Sequence, residues 1–426
     1  MSDEKKIELI FFGDVPKTHQ GGSETGFGKV SGNILKRLHA TGKYNITVVG
    51  INYLGDPHDL PYRIYPAVNN TQGDVYGRQV LLNLLMKNDY DILFTLQDTF
   101  IMASFGEQIK KIRDGRIEEK DGKKVLIKGK NFKWIYYYPI DATPQKEWIE
   151  KSVKYVDVAV PYTKYAERES KKFLDRKYDV IYHGFDKKDF YVMSEKSKQE
   201  FRDKYFKDHD LEKKFFLVNV NRNQERKGYL QTLVSFKLLH NIYPNTVLYT
   251  HCDVANDRGG NLIEVGKQLG ITENWIYPNP DAFKNKVEFP VEYINGLYNI
   301  ADANISTSLG EGFGLSLIEA MATKTINVFP DNTAISELLA DGKGILVDCG
   351  KNPNHLVTNG HLDNNLLRPT VDVMDVVKKL LWVYQKPEEV KKITDKAYEF
   401  AIKEMNWDKI AEEFNQLILK MYDKKS

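Results

Sequence analysis

Ala303-Asn304-Ile305-Ser306-Thr307-Ser308 leads through Leu309-Gly310 into Glu311-Gly312-Phe313-Gly314-Leu315-Ser316-Leu317-Ile318-Glu319-Ala320-Met321-Ala322. The first six residues read as a strand. The Gly-Phe-Gly run reads as a turn, and a helical pattern follows it. A strand, a glycine-bearing loop and a helix form the repeating unit of an open α/β sheet. Such sheets bind ligands outside the carboxyl ends of their strands. Glu311 then lies on the loop, and Glu319 lies in the first turns of the helix. Backbone N–H groups at a helix start favour an anion such as a phosphate. Carboxylates beside it accept hydrogen bonds from hydroxyl groups. A ligand that carries both a phosphate and many hydroxyls is a sugar nucleotide. Two glutamates eight apart also fit a solvated helix face. The strand–loop–helix context is what favours the chemical reading.

Outward from this stretch, apolar strand-like runs alternate with helical patterns, the signature of a parallel α/β sheet. Ile7 to Phe12 reads as a first strand, followed by the glycine-rich Gly21-Gly22-Ser23-Glu24-Thr25-Gly26-Phe27-Gly28. Val30, Ile34, Leu35 and Leu38 mark one face of a helix. Further strands are expected at Ile46–Val49, Ile92–Thr95, Trp134–Tyr138 and Val156–Val160, with a strand and turn in Val180–Asp186. A charged connector near 187–212 separates a second series: Phe215–Val220, Thr246–Thr250, Trp275–Tyr277, Ala303–Ser306, Thr325–Phe329 and Gly344–Val347. The expected organisation is two consecutive doubly wound domains, 1–190 and 191–398. A terminal amphipathic helix in 399–426 is marked by Trp407, Ile410, Phe414, Leu417 and Ile418.

Two further segments stand out. Asn219-Val220-Asn221-Arg222-Asn223-Gln224-Glu225-Arg226-Lys227-Gly228 opens the second series. Arg222 follows a strand and Lys227 stands near a helix start, so two cations are suited to a diphosphate. An exposed polar loop is the plainer reading of the same residues. The second segment is an insertion at about 108–133. There Arg116–Glu119 and Lys123–Ile127 read as hairpin strands around Asp121-Gly122. Its basic residues exceed the acidic ones, which suits either a solvated insertion or a docking surface for an anionic acceptor or a membrane.

A chain of 426 residues with 42% apolar content supports large cores. A formal charge of +2 argues against an obligate polyanion binder. Cys252 and Cys349 are far apart and lack metal spacing, consistent with a reduced, cytoplasmic setting. The first residues, Met1 to Lys6, are charged with no apolar signal segment, and no apolar run is long enough to span a membrane.

Taken together, the chain resembles glycosyltransferase family 4, the retaining group 1 transferases with two Rossmann-like domains facing across a cleft (the GT-B fold). Four stretches carry the resemblance: Thr25-Gly26-Phe27-Gly28-Lys29-Val30; Ile181-Tyr182-His183-Gly184-Phe185-Asp186; Arg222 with Lys227-Gly228; and Glu311 through Ala322. Ala301-Asp302, Ile335-Ser336-Glu337-Leu338 and Asp341-Gly342 also fit. The resemblance implies that Glu311 contacts donor sugar hydroxyls on the reacting face and that Glu319 binds the ribose. It implies that Arg222 and Lys227 hold the diphosphate, and that Gly312, Phe313, Gly314, Leu315 and Ser316 touch sugar and phosphate. In the first domain Thr25-Gly26, with Gly21-Gly22 as the other candidate, would face the phosphates and acceptor. The terminal helix would cross back onto the first domain.

The chain departs from the family in two places. Family members often carry a histidine near the reacting carbon; the comparable stretch here is Tyr138-Pro139-Ile140-Asp141-Ala142-Thr143-Pro144. Asp141 is the substitute, orienting the sugar or supporting a cationic transition state, unless it merely caps a helix. The usual Gly-x-Pro after the second glutamate is replaced by Lys324-Thr325-Ile326.

The implied reaction is transfer of a sugar from a UDP- or GDP-type donor to an acceptor hydroxyl, with retained configuration. The nucleoside diphosphate sugar is a co-substrate; no cofactor and no metal are expected, since no Asp-x-Asp pair lies near the site. A glycan or lipid-linked acceptor and a cytoplasmic location, with peripheral membrane contact open, complete the expectation. Competing readings are transfer to a modified nucleic-acid base, a phosphorylase or epimerase on this scaffold, and a non-catalytic nucleotide-sugar binder. A nicotinamide-dependent oxidoreductase is disfavoured, because Val48-Val49-Gly50-Ile51-Asn52-Tyr53 offers no carboxylate for a ribose.

Overall fold

In the computed structural model, residues 5–16, 25–67, 74–120, 123–255, 259–285 and 289–425 are described. The chain forms two units, residues 1–183 with 407–426, and residues 184–406. Each is built on a six-stranded parallel sheet.

In the first unit, β1 (Ile7–Gly13), β2 (Tyr44–Gly50), β3 (Arg63–Pro66), β4 (Ile92–Leu96), β7 (Lys133–Tyr138) and β8 (Val158–Pro161) lie in the order β3-β2-β1-β4-β7-β8. All the pairings are parallel. Parallel strands are covered on both faces and so read as near-continuous apolar runs. That is why Ile-Glu-Leu-Ile-Phe-Phe and Trp-Ile-Tyr-Tyr-Tyr were legible as strands. Leu9, Ile10, Phe11, Phe12 and Trp134 through Tyr138 are fully buried. β3 has no such run: it is a four-residue strand at the sheet edge that ends in proline, and sequence patterning did not find it. Conversely, Val180–Asp186 forms no sheet strand. It is irregular chain, with one isolated bridge within it at Phe185 and another just before it at Tyr178.

β5 (Arg116–Lys120) and β6 (Lys123–Ile127) form the expected antiparallel hairpin, with Ile117 opposite Leu126. Its turn residues, Asp121 and Gly122, lie outside the described residues.

In the second unit, β9 (Phe215–Val220), β10 (Thr246–His251), β11 (Trp275–Ile276), β12 (Ala303–Ile305), β13 (Asn327–Pro330) and β14 (Ile345–Val347) repeat the same arrangement, β11-β10-β9-β12-β13-β14. Both sheets thus have the doubly wound Rossmann order, in which strand order reverses beside the first strand. In the second unit that switch point lies between β9 and β12.

Helices α1 (Gly26–Ala40), α2 (Tyr229–Ile242), α3 (Leu315–Ala322) and α4 (Trp407–Asp423) frame the parts discussed below. Helix α4 follows the second unit in the chain but packs within the first. Tyr44 donates to Asn415 at 2.6 Å, Arg37 pairs with Asp408 at 2.7 Å, and Phe414 packs on Phe94 with ring centroids 5.2 Å apart. The apolar stripe that marked α4 in sequence is the face it buries: Trp407, Ile410, Phe414 and Ile418. Among the described residues, no helix is long and apolar enough to cross a membrane.

Candidate active site

Two loops meet at the switch point of the second unit, residues 221–228 after β9 and 306–314 after β12. Gly228 closes the first of them in the left-handed region, at φ 64°. A Cβ there would come within 2.2 Å of the Thr307 carbonyl oxygen, so only glycine lets the loops approach this closely. A hydrogen-bond chain locks the contact. Thr307 Oγ1 donates to the Gly228 carbonyl at 2.6 Å. Its single proton is then used, so Thr232 Oγ1, 2.7 Å away, donates to it and accepts in turn from Asn219 Nδ2.

This approach brings Lys227 to Glu311. Lys227 Nζ lies 2.5 Å from Glu311 Oε1. Ser308 Oγ donates to the same oxygen at 2.8 Å, and Arg226 Nη1 lies 3.3 Å from Oε2. Arg226 also donates to the Gly310 carbonyl, while its own carbonyl accepts from the Leu309 N–H. The Glu311 backbone N–H is held by Thr333 Oγ1 at 2.9 Å. Burial alone would raise the Glu311 pKa. The charges of Lys227 and Arg226, with the hydrogen bonds from Lys227 and Ser308, override burial and hold it down to about 2. Glu311 is therefore a buried, permanently ionised carboxylate. It can accept hydrogen bonds or stabilise positive charge, and it is unsuited to act as a general acid near neutrality.

Glu319 lies in α3, buried, and accepts from the phenol of Tyr298 at 3.2 Å. Gly314 is the N-cap of α3 at φ 102°, followed by Leu315 and Ser316 in its first turn. Gly312 is partly exposed, and the ring of Phe313 is buried. Arg222 is exposed on the loop after β9. Arg226 is the arginine that bonds Glu311 beside Lys227, and sequence reasoning had passed over it in favour of Arg222. The signal was available: Arg226 directly precedes Lys227. The turn that replaces Gly-x-Pro is made by Lys324 in the left-handed region, at φ 60°. Its ammonium is anchored on Asp395 at 2.6 Å and lies over the Tyr398 ring.

In the first unit, Thr25 is the N-cap of α1 and accepts from the Gly28 N–H at 2.9 Å. Its hydroxyl donates to Asp14 Oδ2 at 2.6 Å. Burial raises the Asp14 pKa, and the Thr25 hydrogen bond works against that shift. Asp14, which directly follows β1, was not expected in this role. Gly21 and Gly22 lie outside the described residues. Asp141 follows β7 and is partly exposed. It does not cap the next helix, whose N-cap is Gln145. Nearby, the Tyr165 phenol is pushed up by burial, and further by Glu169 and Asp141, while the Arg168 charge works against the shift.

Residues 277–359, which include β12, the Glu311 loop and α3, match the family model described as glycosyl transferases group 1. Whole-chain comparison finds a sucrose-phosphate synthase from Thermosynechococcus elongatus, with a TM-score of 0.72 at 14% identity, covering 98% of this chain and 100% of that one. A glycosyltransferase from Rickettsia africae superposes at 0.68, also at 14% identity, over 98% and 99%. Anabaena HepE, in complex with UDP-glucose, superposes at 0.67 and 12% identity over 97% and 100%. No curated protein matches the sequence. At these identities the structural likeness defines a class, the two-domain GT-B architecture. Within that architecture, residues 277–359 carry the likeness to the group 1 glycosyl transferases.

Proposed function

We propose that the chain is a group 1 glycosyltransferase that takes its sugar from a nucleoside diphosphate sugar and passes it to an acceptor hydroxyl with retention of configuration. The observation that carries the proposal is Glu311, buried and ionised between Lys227 and Arg226 at the sheet's switch point. The UDP-glucose bound in Anabaena HepE, a fold relative, supports this class of donor.

In this reading Glu311 orients the sugar hydroxyls on the reacting face, and Glu319 takes the ribose hydroxyls. Lys227, held beside Glu311, meets the departing diphosphate, joined by Arg222 and the N–H groups at the start of α3. Gly312 to Ser316 contact sugar and phosphate through the backbone. These groups supply the positive charge the leaving group needs without a metal ion. A phosphate oxygen that departs ahead of acceptor attack takes the acceptor's proton. The first unit has the acceptor-side role, with Asp141 and the Thr25-Gly26 helix start as candidate contacts. A glycan or lipid-linked acceptor and a cytoplasmic location complete the proposal.

A thermal-shift screen of nucleoside diphosphate sugars, followed by transfer assays with the best donor, tests it. The reading requires stabilisation by one donor class and product with retained anomeric configuration. Inverted product, or turnover that requires inorganic phosphate, refutes it.

A further inference from the structure

The β5–β6 hairpin in the first unit has no role in the chemistry above, and its surface is unusual. Ile117 and Leu126 stand directly opposite each other in the antiparallel register and are 68% and 74% exposed. A single exposed aliphatic is ordinary. A matched pair on a two-stranded ribbon is different, because an isolated hairpin is marginally stable in water and gains when its apolar face is covered. Val125, next to Leu126 in β6, is also exposed but lies on the ribbon's other face, opposite Glu118.

The cations of this segment separate into two groups. Lys110, Lys111, Arg113, Arg116 and Lys130 are committed to ion pairs with Asp114, Glu107, Asp157, Glu118 and Asp89. Lys123, Lys124 and Lys128 are exposed, and no carboxylate among the described residues pairs with them. Lys124 is two residues from Leu126 and so lies on the same face of the ribbon.

We propose that this ribbon docks the protein on an anionic lipid surface. Ile117 and Leu126 enter the headgroup region, while Lys124, Lys128 and the long side chain of Lys123, reaching round from the ribbon's other face, meet the lipid charges. The geometry favours lipid over the alternatives. A second copy of the chain brings the same lysines to the contact. Two or three aliphatic side chains also fall far short of the roughly 800 Å² per partner of a stable protein interface. A nucleic acid would leave the aliphatic pair unused. Interfacial adsorption needs only a few buried apolar groups and nearby cations.

The test is co-sedimentation of the full-length protein with vesicles of phosphatidylcholine alone or mixed with phosphatidylglycerol. Each lysine near an anionic surface contributes about fivefold, so three give roughly 100-fold tighter binding to the mixed vesicles. Ile117→Ser/Leu126→Ser lowers that binding at least about tenfold with an unchanged thermal midpoint. Lys123→Ser/Lys124→Ser removes most of its salt dependence. Leu126→Trp gives a blue-shifted indole emission on the mixed vesicles. Equal binding to both vesicle types overturns the proposal, as does undiminished binding by a folded Ile117→Ser/Leu126→Ser variant. Self-association that this variant abolishes assigns the ribbon to a second copy instead. Salt-dependent duplex DNA binding without vesicle binding assigns it to nucleic acid. If the double variant fails to fold, the Leu126→Trp emission decides: an unshifted spectrum on mixed vesicles overturns the proposal.

Discussion

Lys227 Nζ stands 2.5 Å from Glu311 Oε1, and the two side chains are nearly out of solvent. Such a pair is costly to break from one side, because the remaining charge stays buried. Lys227→Ala is expected to destabilise the protein by about 3 kcal/mol, read from urea unfolding. Glu311→Gln/Lys227→Met should recover much of that loss. The same Lys227→Ala variant should weaken binding of a nucleoside diphosphate by calorimetry. Unchanged affinity would remove Lys227 from the diphosphate site while leaving its structural role intact.

Glu311→Gln separates charge from shape. The amide keeps the volume, but its NH₂ faces Lys227 or Arg226 and cannot supply negative charge to a cationic transition state. Turnover is expected to fall about 100-fold or more, with donor affinity changed much less. A variant that transfers sugar at a near-normal rate would be incompatible with Glu311 on the reacting face.

Arg226 acts through its neighbours, gripping the Gly310 carbonyl and Glu311 together. It is partly exposed, so solvent screening trims its ion pair to about 1 kcal/mol. Arg226→Gln should therefore lower kcat about fivefold and leave the donor KM near normal. Arg226→Lys should restore the ion pair and part of the rate, but only one of the two contacts at a time. A larger rise in KM than fall in kcat would show Arg226 contacting the donor directly.

Gly228 and Gly314 both have positive φ, yet they are constrained differently. Gly228 is pressed against the Thr307 carbonyl, whereas a Cβ on Gly314 would meet only Leu317 Cβ at 3.7 Å. Backbone strain costs either alanine variant about 1–3 kcal/mol. Gly228→Ala must also push the two loops apart, which adds about 1–3 kcal/mol. Denaturant titration should rank Gly228→Ala clearly below Gly314→Ala. Equal losses would mean the loop contact is looser than the geometry describes.

Much of this was legible before any coordinates because parallel strands bury both faces. Continuous runs such as Ile-Phe-Phe or Ile-Tyr-Tyr-Tyr have few other readings. The Glu311 loop was legible for a second reason: glycine at positive φ is visible in sequence, and Gly314 and Gly228 frame the loops that carry the charges. What sequence could not resolve was which arginine turns inward. Arg222 and Arg226 sit in the same polar loop, and the single turn at Glu225–Lys227 directs Arg226 to Glu311. Edge strand β3 was lost for want of an apolar run, and Asp14 because its partner Thr25 lies eleven residues away across a loop. The basic excess of the inserted segment was real as composition, but half of its cations turn out to be neutralised locally.

His183, part of one of the stretches that marked the chain in sequence, yields a prediction about pH. It is buried against Tyr137, Tyr162 and Trp407, with Nδ1 2.7 Å from the Tyr137 hydroxyl. Burial holds its pKa down to about 3 from an ordinary 6.5. The unfolded chain therefore binds the proton first. Stability is unaffected above about pH 6.5 and falls below it, by up to about 1.4 kcal/mol per pH unit, until the folded pKa is reached. Glu311 does not contribute in this window, because its depressed pKa makes stability fall only from about 4.5 down to 2. Asp302 acts in the opposite sense. Burial raises its pKa to about 6, so its share of stability falls as pH rises from about 4 to 6. The clean measurement is thus the difference between wild type and His183→Gln in urea midpoint at pH 7, 6 and 5. The variant should be less stable at pH 7, for lost packing, and that deficit should shrink by about 1 kcal/mol per unit as pH falls. A deficit that stays constant from pH 7 to 5 would mean that His183 takes up its proton without leaving the fold.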